Sequence, residues 1–234
     1  MHKFLTLIIV IAISIILQKS ADAGIDVFDD ITPANKSIML RAITKGRFFP
    51  EGGKLVHFYV NEKKRGTTLS GGDGYALLKY TPVKPGLKKI KALSNGDSSE
   101  ARLLVTAKKD PIILIATEVF LLDSILIPES DRDASAALSI LSKNFNIIYL
   151  SSMIGLGQTK KWLEEREFPP SIVIPWEGTV LIDTLKERGI NIYAIVGTPE
   201  ILAEAQDINR RFSFKASEKG ETIDTWEELG NKLK

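Results

Sequence analysis

The sequence predicts two folded domains, an all-β sandwich over residues 24–108 and an α/β domain with a three-layer parallel sheet over residues 109–234. Apolar residues alternate with a period of two in the first part. Apolar strands alternate with helix-periodic segments in the second part. The charged stretch Ala107–Pro111 separates the two patterns. With 234 residues, 44% hydrophobic and 26% charged, the chain is long enough for two such domains.

Composition excludes several classes of function. The chain has no Cys, which excludes disulfides, zinc–thiolate sites, iron–sulfur clusters and Cys nucleophiles. His2 and His57 are the only histidines, so a multi-His metal site is excluded. A formal net charge of +2 is too small to indicate the basic surface that binds nucleic acid, so we expect no nucleic-acid partner.

Residues 1–23 have the layout of a secretory signal peptide. Lys3 precedes an apolar run at Phe4–Leu17, and Ala21-Asp22-Ala23 forms a small-x-small cleavage site. The run is shorter than the roughly 20 residues that a membrane-spanning helix needs. We therefore expect cleavage after Ala23 and export to a bacterial periplasm or cell surface, with no membrane span afterwards. Retention of the segment as an N-terminal membrane anchor is the alternative.

The predicted sandwich consists of short strands separated by turn residues. The strands lie around Ile38–Ile43, Leu55–Val60, Ala76–Tyr80, Ile90–Ala92 and Ala101–Thr106, and the turns around Pro50–Gly53, Asn61–Gly66, Gly71–Gly74, Pro85-Gly86 and Asn95–Asp97. Strands at this spacing indicate an antiparallel β-sandwich.

Strand and helix patterns alternate in the second domain. Strands are predicted at Ile112–Ile115, Ile147–Leu150, Ser171–Ile174, Ile192–Val196 and Phe212–Phe214, and helices around Ala134–Leu141, Gln158–Glu167, Gly178–Arg188, Pro199–Ile208 and Thr225–Leu233. Ser130 or Asp131 can cap the first helix, and Thr225 with Glu228 can form a capping box for the last. The alternation predicts a parallel sheet with helices on both faces, whose ligands lie beyond the carboxyl ends of the strands.

Each predicted domain contains motifs that resemble those of a known family. The segment with Gly52–Val60, Gly72–Ala76 and Tyr80–Gly86 resembles the bacterial immunoglobulin-like domains of exported proteins, which implies a spacer or adhesion module. The second domain resembles the haloacid-dehalogenase superfamily of phosphatases, and within it the lipin-like phosphatidate phosphatases. The motifs that carry this resemblance are Ile112–Ser124, Tyr149–Gly155, Trp162-Leu163, Pro169–Ser171, Gly197–Pro199 and Glu218–Glu221.

The resemblance places most of the chemical groups of that superfamily on unsuitable residues, and only the phosphate-binding Ser is retained. Its nucleophilic Asp falls on Ala116, whose methyl group neither attacks phosphorus nor ligates Mg²⁺. Its acid/base Asp falls on Glu118, and its phosphate-binding Ser on Ser151. The Arg, Lys and metal-binding acid fall on Met153, Leu181 and Thr198, and Lys186 is one turn too late. Phosphoryl transfer on this scaffold needs the nucleophile, the metal and the positive charge together.

We therefore expect no catalytic residue, no metal and no cofactor, and Ala116, Glu118 and Ser151 mark a vestigial site. Ser151, Ser152, Gly197 and Thr198 are the candidate ligand-binding residues, for an anion held by hydroxyls and backbone amides. A polar strand-to-loop turn is the alternative interpretation of Ser151-Ser152. Glu118 and Asp123 are expected to be solvated carboxylates rather than a cation site.

The expected function is that of an exported, non-catalytic binding or structural protein with a degenerate phosphatase-like domain, whose partner is an unidentified protein or an anionic ligand. The first alternative is a Mg²⁺-dependent phosphoric monoester hydrolase acting on phosphatidate or another phosphoester through Glu118 and Ser151. The second is an adhesion or spacer protein that acts through the immunoglobulin-like domain.

Overall fold

The computed structural model describes residues 24–120, 130–152 and 155–233. The predicted signal peptide, Asp123 and Met153 lie outside the described residues, as do the side chains of Ser130 and Asp131. The chain divides into two compact units. The first contains the residues up to Phe28 with Met39–Leu78 and Ile90–Glu100, and the second contains Asp29–Ile38, Lys79–Lys89 and the chain from Ala101 onward. The domain boundary at residues 108/109 stays a prediction.

The N-terminal part of the chain forms two β-sheets. Its strands are β1 Gly24–Val27, β2 Asp30–Pro33, β3 Ile38–Lys45, β4 Leu55–Val60, β5 Lys63–Leu69, β6 Tyr75–Tyr80, β7 Gly86–Ser94 and β8 Asp97–Thr106. One sheet has the order β1-β3-β6 and the other β2-β8-β7-β4-β5. Alternate side chains of β3 and β4 are buried, as in a sheet with one face on a core. Two sheets with this alternation make the β-sandwich that the sequence predicts.

Three details of the sandwich differ from the prediction. Strands β1 and β2 precede Ile38, where the first predicted strand begins. The predicted turn Asn61–Gly66 is in fact a two-residue turn at Asn61-Glu62, both with positive φ, followed at once by β5. The sequence pattern does not predict strand β5. It is an edge strand with charged residues and no buried side chain, so its apolar residues do not alternate with a period of two. The sandwich is also not wholly antiparallel, because β2 pairs in parallel with β8.

The C-terminal part of the second unit alternates strands with helices. The elements are β9 Pro111–Ala116, α1 Ser130–Leu141, β10 Asn146–Ser151, α2 Leu156–Glu165, β11 Ile172–Pro175, α3 Thr179–Glu187, β12 Asn191–Val196, α4 Pro199–Glu204, β13 Arg211–Ser213, β14 Glu221–Thr222 and α5 Trp226–Leu233. The strands form a six-stranded sheet in the order β11-β10-β9-β12-β13-β14, and the adjacent strands pair in parallel. The parallel sheet predicted from the alternating pattern is therefore present.

Each face of this sheet is covered by its own set of helices. Ile113 and Ile115 of β9 belong to a core that includes residues of α1, α2 and α5. Ile112, Leu114 and Ala116 belong to a second core that includes residues of α3 and α4. Strand β9 lies between β10 and β12, so its side chains are buried on both faces and its sequence is continuously apolar.

The last helix begins as predicted. The backbone amide of Glu228 donates to Thr225 Oγ1 at 3.1 Å, and the Glu228 carboxylate accepts from the amide of Asp224 at 2.8 Å. Trp226, Leu229 and Leu233 are buried on one face of α5. The Thr225 half of the predicted capping box is present, whereas the Glu228 carboxylate accepts from Asp224, one residue before the amide that a capping box uses.

None of the helices among the described residues is long and apolar enough to cross a membrane.

Candidate functional site

The predicted site lies where β9, β10 and β12 end side by side. Ala116 pairs with Leu150, and Ile115 pairs with Val196 one position earlier. The register therefore places the residues after Ala116, Leu150 and Val196 at one edge of the sheet, as the sequence predicts for parallel strands. Thr117 fastens two of these ends, because both its amide and its hydroxyl donate to the carbonyl of Leu150, at 2.9 and 3.0 Å.

The residues after β9 are buried, and several of them are apolar. Ala116 has no exposed surface, and Val119 and Phe120 are only 5% and 2% exposed. The Phe120 ring stacks on Trp226 and Trp162, with ring centres 5.3 and 5.9 Å apart. Position 120 thus holds a core aromatic ring, and the position that the resemblance assigns to the nucleophile holds a buried methyl group.

Glu118 is buried and hydrogen-bonded, which corrects the expectation of a solvated carboxylate. The residue is 4% exposed. Its Oε1 accepts hydrogen bonds from the backbone amide of Ser152 at 2.8 Å and from the Ser152 hydroxyl at 2.7 Å. The amide and hydroxyl of Ser152, which were predicted to bind an external anion, donate instead to a carboxylate of the chain itself.

Ser151 lies at the end of β10 and is 4% exposed. Its Oγ is 3.0 Å from Oγ1 of Thr159, on the first turns of α2. The Ser151 carbonyl accepts from the amide of Trp176 after β11 at 2.9 Å. Ser151 therefore connects β10 to α2 and to the end of β11 by hydrogen bonds. The structure brings Ser151 and Ser152 to the predicted edge of the sheet, and their assignment to an anion stays a prediction.

Gly197 and Thr198 form the junction between β12 and α4. A Cβ at Gly197 would lie 3.0 Å from Cγ2 of Ile201 on α4, so the glycine allows the helix to pack closely. Thr198 is the N-cap residue of α4, with extended φ and ψ. A hydrogen bond with the Thr198 side chain is the largest cause that holds the pKa of Glu200 below its ordinary value. Each of these roles is structural, and the ligand-binding assignment stays a prediction.

Lys186, which the sequence places one turn too late for the superfamily's Lys, is directed away from this edge. Lys186, near the end of α3, forms an ion pair with Asp207 at 3.1 Å. Trp176, which follows β11 directly, donates its Nε1 hydrogen to Glu204 of α4 at 3.1 Å. The loop after β11 is therefore joined to α4 by an indole–carboxylate hydrogen bond.

The residues at this edge do not fit a Mg²⁺ ion. Mg²⁺ prefers several oxygen ligands in octahedral geometry. Ala116 supplies none, and Oε1 of Glu118 is held by the amide and hydroxyl of Ser152. Within residues 24–120, 130–152 and 155–233, no group of three acidic or His side chains gathers closely enough to hold a metal ion.

Sequence reasoning missed a buried acid in the same unit. Asp29 precedes β2, and its side chain has no exposed surface. It forms an ion pair with Lys160 of α2 at 2.7 Å and accepts from the amides of Arg102 and Val173 at 2.7 and 2.8 Å. The Arg102 guanidinium in turn contacts Glu164 at 2.6 Å and the carbonyl of Ser171 at 3.2 Å. A single Asp before a short strand carries no sequence signal of this network.

Comparison with known proteins assigns no family. No protein-family model matches the chain, and no curated protein matches it. Solved structures match part of it. The CARDB domain of a Pyrococcus furiosus protein, in complex with di-metal ions, is 18% identical over 38% of this chain and 96% of its own, with a TM-score of 0.29. Invasin, a bacterial integrin-binding protein, is 19% identical over 37% of this chain and 19% of its own, with a TM-score of 0.33.

The D0–D1 domain of intimin is 17% identical over 34% of this chain and 43% of its own, with a TM-score of 0.28. Similarity at these identities and scores assigns neither a family nor a ligand to this chain.

Proposed function

We propose that this protein is an exported, non-catalytic binding or structural protein, whose second unit keeps a scaffold like that of the haloacid-dehalogenase phosphatases without its chemistry. The observation that carries the proposal is the burial of Ala116 at the end of the central strand β9, where the resembled superfamily has its nucleophile. Without a nucleophile the covalent route is closed, and loss of such a group costs several orders of magnitude in rate.

The surrounding residues support the same conclusion. The Phe120 ring occupies core volume beside Trp162 and Trp226 rather than leaving room for a phosphoryl group. Glu118 is held by Ser152, so the carboxylate that resembles an acid/base group has an evident structural use. A site whose remaining polar residues hydrogen-bond each other is built for stability rather than turnover.

The test is a phosphatase assay of the purified chain with Mg²⁺, using 4-nitrophenyl phosphate and phosphatidate in mixed micelles. We expect no hydrolysis above the buffer rate with either substrate. The control is Glu118→Ala, measured in the same preparation and buffer. Mg²⁺-dependent hydrolysis that disappears in Glu118→Ala would overturn the proposal in favour of a phosphoric monoester hydrolase.

We expect the ligand to be an anion. In the parent protein the Glu118 carboxylate accepts the Ser152 hydrogen bonds that such a ligand would need. Ser152 is exposed, so its amide and hydroxyl are accessible to a solute once the Glu118 carboxylate is removed. A ligand that binds the folded state raises its unfolding temperature by mass action. Inorganic phosphate should therefore stabilise Glu118→Ala more than the parent protein.

The matched control for this effect is Glu118→Ala combined with Ser152→Ala, which removes the hydroxyl donor as well. Phosphate should stabilise this double variant less than Glu118→Ala alone. Equal stabilisation of all three proteins by phosphate would show that this edge of the sheet is no anion site, while leaving the assay for catalysis unaffected.

A further inference from the structure

The loop between β3 and β4 presents two adjacent aromatic rings to solvent. Phe48 and Phe49 are 74% and 79% exposed, more than the other large hydrophobic side chains in the described ranges. Isolated exposed apolar residues are common on protein surfaces, whereas larger contiguous apolar patches mark interaction sites. The two neighbouring phenylalanines of this loop are therefore a candidate contact site.

The loop is held in place by its backbone. The amide of Gly46 donates to the carbonyl of Phe49 at 2.8 Å, and the amide of Glu51 donates to the carbonyl of Thr44 at 2.8 Å. A Cβ at Gly74, which has a φ of +81°, would lie 2.7 Å from Cβ of Pro50, so the loop packs tightly on the neighbouring turn. The two rings are thus displayed on a fixed support.

Further apolar surface lies on the strands that begin and end at this loop. Leu55 at the start of β4 pairs with Leu69 at the end of β5, and these side chains are 48% and 62% exposed. Gly53, the last loop glycine, donates its amide to the carbonyl of Ser70 directly after Leu69. The exposed rings and the Leu55–Leu69 pair therefore belong to the same end of the first unit.

Charges around the loop largely cancel. Lys45 forms an ion pair with Asp26, and Lys54 forms one with Glu51 at 2.8 Å. The Arg47 guanidinium lies 5.3 Å from the centre of the Phe48 ring. With the cations paired or placed over an aromatic ring, attraction at this end of the unit is mainly hydrophobic rather than electrostatic.

The N-terminal segment joins the unit beside the same loop. Gly24, the first described residue, pairs with Lys45, the last residue of β3 before the loop. The apolar run Phe4–Leu17 is separated from Gly24 by the six residues Gln18–Ala23. Six residues span at most about 20 Å when extended. A membrane that receives the apolar run would therefore lie close to Phe48 and Phe49.

We propose that the Gly46–Pro50 loop is a membrane contact, with Phe48 and Phe49 inserted at the lipid–water interface. Exposed aromatic side chains beside a cation, here Arg47, are suited to the boundary between headgroups and acyl chains. Because Lys45 and Lys54 are paired with acids, we expect the contact to form on lipid without net charge. This contact rests on retention of residues 1–23 as the N-terminal membrane anchor, the alternative to cleavage after Ala23. It involves neither Ala116 nor Glu118, so its failure would leave the proposed lack of catalysis unaffected.

The absence of cysteine makes a site-specific test direct. A nitroxide label at Arg47→Cys keeps both rings, and one at Lys63→Cys is the matched control, because Leu55–Leu69 and Val60–Lys63 are opposite ends of the same strand pair. The full-length chain is reconstituted in phosphatidylcholine vesicles, and the accessibility of each label to oxygen is compared with that to a water-soluble nickel complex.

In vesicles we expect the label at position 47 to become accessible to oxygen and protected from nickel, while the label at position 63 stays accessible to nickel. Phe48→Ser with Phe49→Ser, added to Arg47→Cys, should restore nickel access at position 47 without shifting the unfolding midpoint. Equal nickel access at positions 47 and 63 would overturn the proposal. Shielding of position 47 from both reagents without vesicles, increasing with protein concentration, would assign the loop to a protein partner and overturn it too.

Discussion

The Glu118 carboxylate accepts hydrogen bonds from both the backbone amide and the hydroxyl of Ser152, at 2.8 and 2.7 Å. The first residue follows β9 and the second follows β10, so the pair joins the ends of adjacent parallel strands. Hydrogen bonds to a charged group contribute more than neutral ones, and more still where water is excluded. Glu118 is therefore a structural residue that joins these two strand ends.

Removal of this carboxylate should destabilise the second unit. Since a hydrogen bond to a charged group contributes about 1.5–3 kcal/mol, we expect Ser152→Ala to lower the free energy of unfolding by that amount. Glu118→Ala should cost more, because it also removes the acceptor of the Ser152 amide. Urea unfolding followed by tryptophan fluorescence is the measurement, since Trp162, Trp176 and Trp226 all belong to the second unit.

A double-mutant cycle separates this contact from other effects of the two substitutions. The combined variant should be less destabilised than the sum of the single variants, because both remove the same hydroxyl–carboxylate bond. Ser142→Ala, at a serine whose hydroxyl bonds to the exposed end of α1, is the control and should change little. Strict additivity would show that Glu118 and Ser152 do not interact in solution.

The buried ion pair of Asp29 and Lys160 predicts an asymmetric pair of variants. Asp29→Ala leaves Lys160 and the amides of Arg102 and Val173 without this acceptor, whereas Lys160→Ala leaves Asp29 with both amides. Breaking a buried pair typically costs about 3–5 kcal/mol, which we expect for Asp29→Ala. Lys160→Ala should cost less. The free energies come from urea unfolding, and a larger loss for Lys160→Ala would contradict the assignment of Asp29 as the centre of the network.

The same network bears on where the chain can be divided. Asp29 and Arg102 precede the predicted boundary at residues 108/109, yet they hydrogen-bond residues that follow it. A fragment of residues 109–234 would lack both side chains. We expect such a fragment to unfold at a lower urea concentration than the second unit of the intact chain, as followed by tryptophan fluorescence. Identical midpoints would show that the fragment is a complete folding unit.

Patterned elements of this fold were predictable from sequence, and unpatterned ones were not. Strand β9 was predictable because it is buried on both faces and reads as an apolar run. Strand β5 was not, because its side chains are polar or exposed and only its pairing with β4 defines it. Local patterns report burial, whereas edge pairing depends on hydrogen bonds between distant segments.

The candidate site was predictable in position but not in its contacts. Parallel strands bring Ala116, Ser152 and Gly197 to one edge whatever the side chains are, so their proximity followed from the βα pattern. That Glu118 is buried against Ser152 rather than solvated depends on side-chain placement across two strand ends. Asp29 was not predictable at all, because its partners lie 73, 131 and 144 positions away.

The N-terminal cap of α5 can be tested by substitution of Thr225. Thr225 Oγ1 accepts from the amide of Glu228, so Thr225→Ala should lower the free energy of unfolding by about 1 kcal/mol. Thr225→Ser keeps the oxygen and should restore nearly all of that loss. The measurement is urea unfolding followed by tryptophan fluorescence, to which Trp226 of α5 contributes together with Trp162 and Trp176. Equal losses for the Ala and Ser variants would show that the methyl group, not the hydroxyl, stabilises this turn.

Gly197 provides the last prediction, because it separates a packing role from a ligand role. A Cβ at this position would lie 3.0 Å from Cγ2 and 3.3 Å from Cβ of Ile201 on α4. Overpacking of this kind typically costs about 1–3 kcal/mol, which we expect for Gly197→Ala in urea unfolding. Gly157→Ala is the matched control, since nothing lies within 4 Å of a Cβ there and the substitution favours α2.

Truncation of Ile201 tests whether the stability lost in Gly197→Ala comes from contact with that side chain. In the background of Ile201→Ala, the added methyl group meets less side chain, so the cost of Gly197→Ala should shrink. Phosphate should stabilise Gly197→Ala and the parent protein equally if the glycine serves packing alone. A variant as stable as the parent but no longer stabilised by phosphate would instead show that Gly197 lies against a bound anion, and the packing interpretation would be wrong.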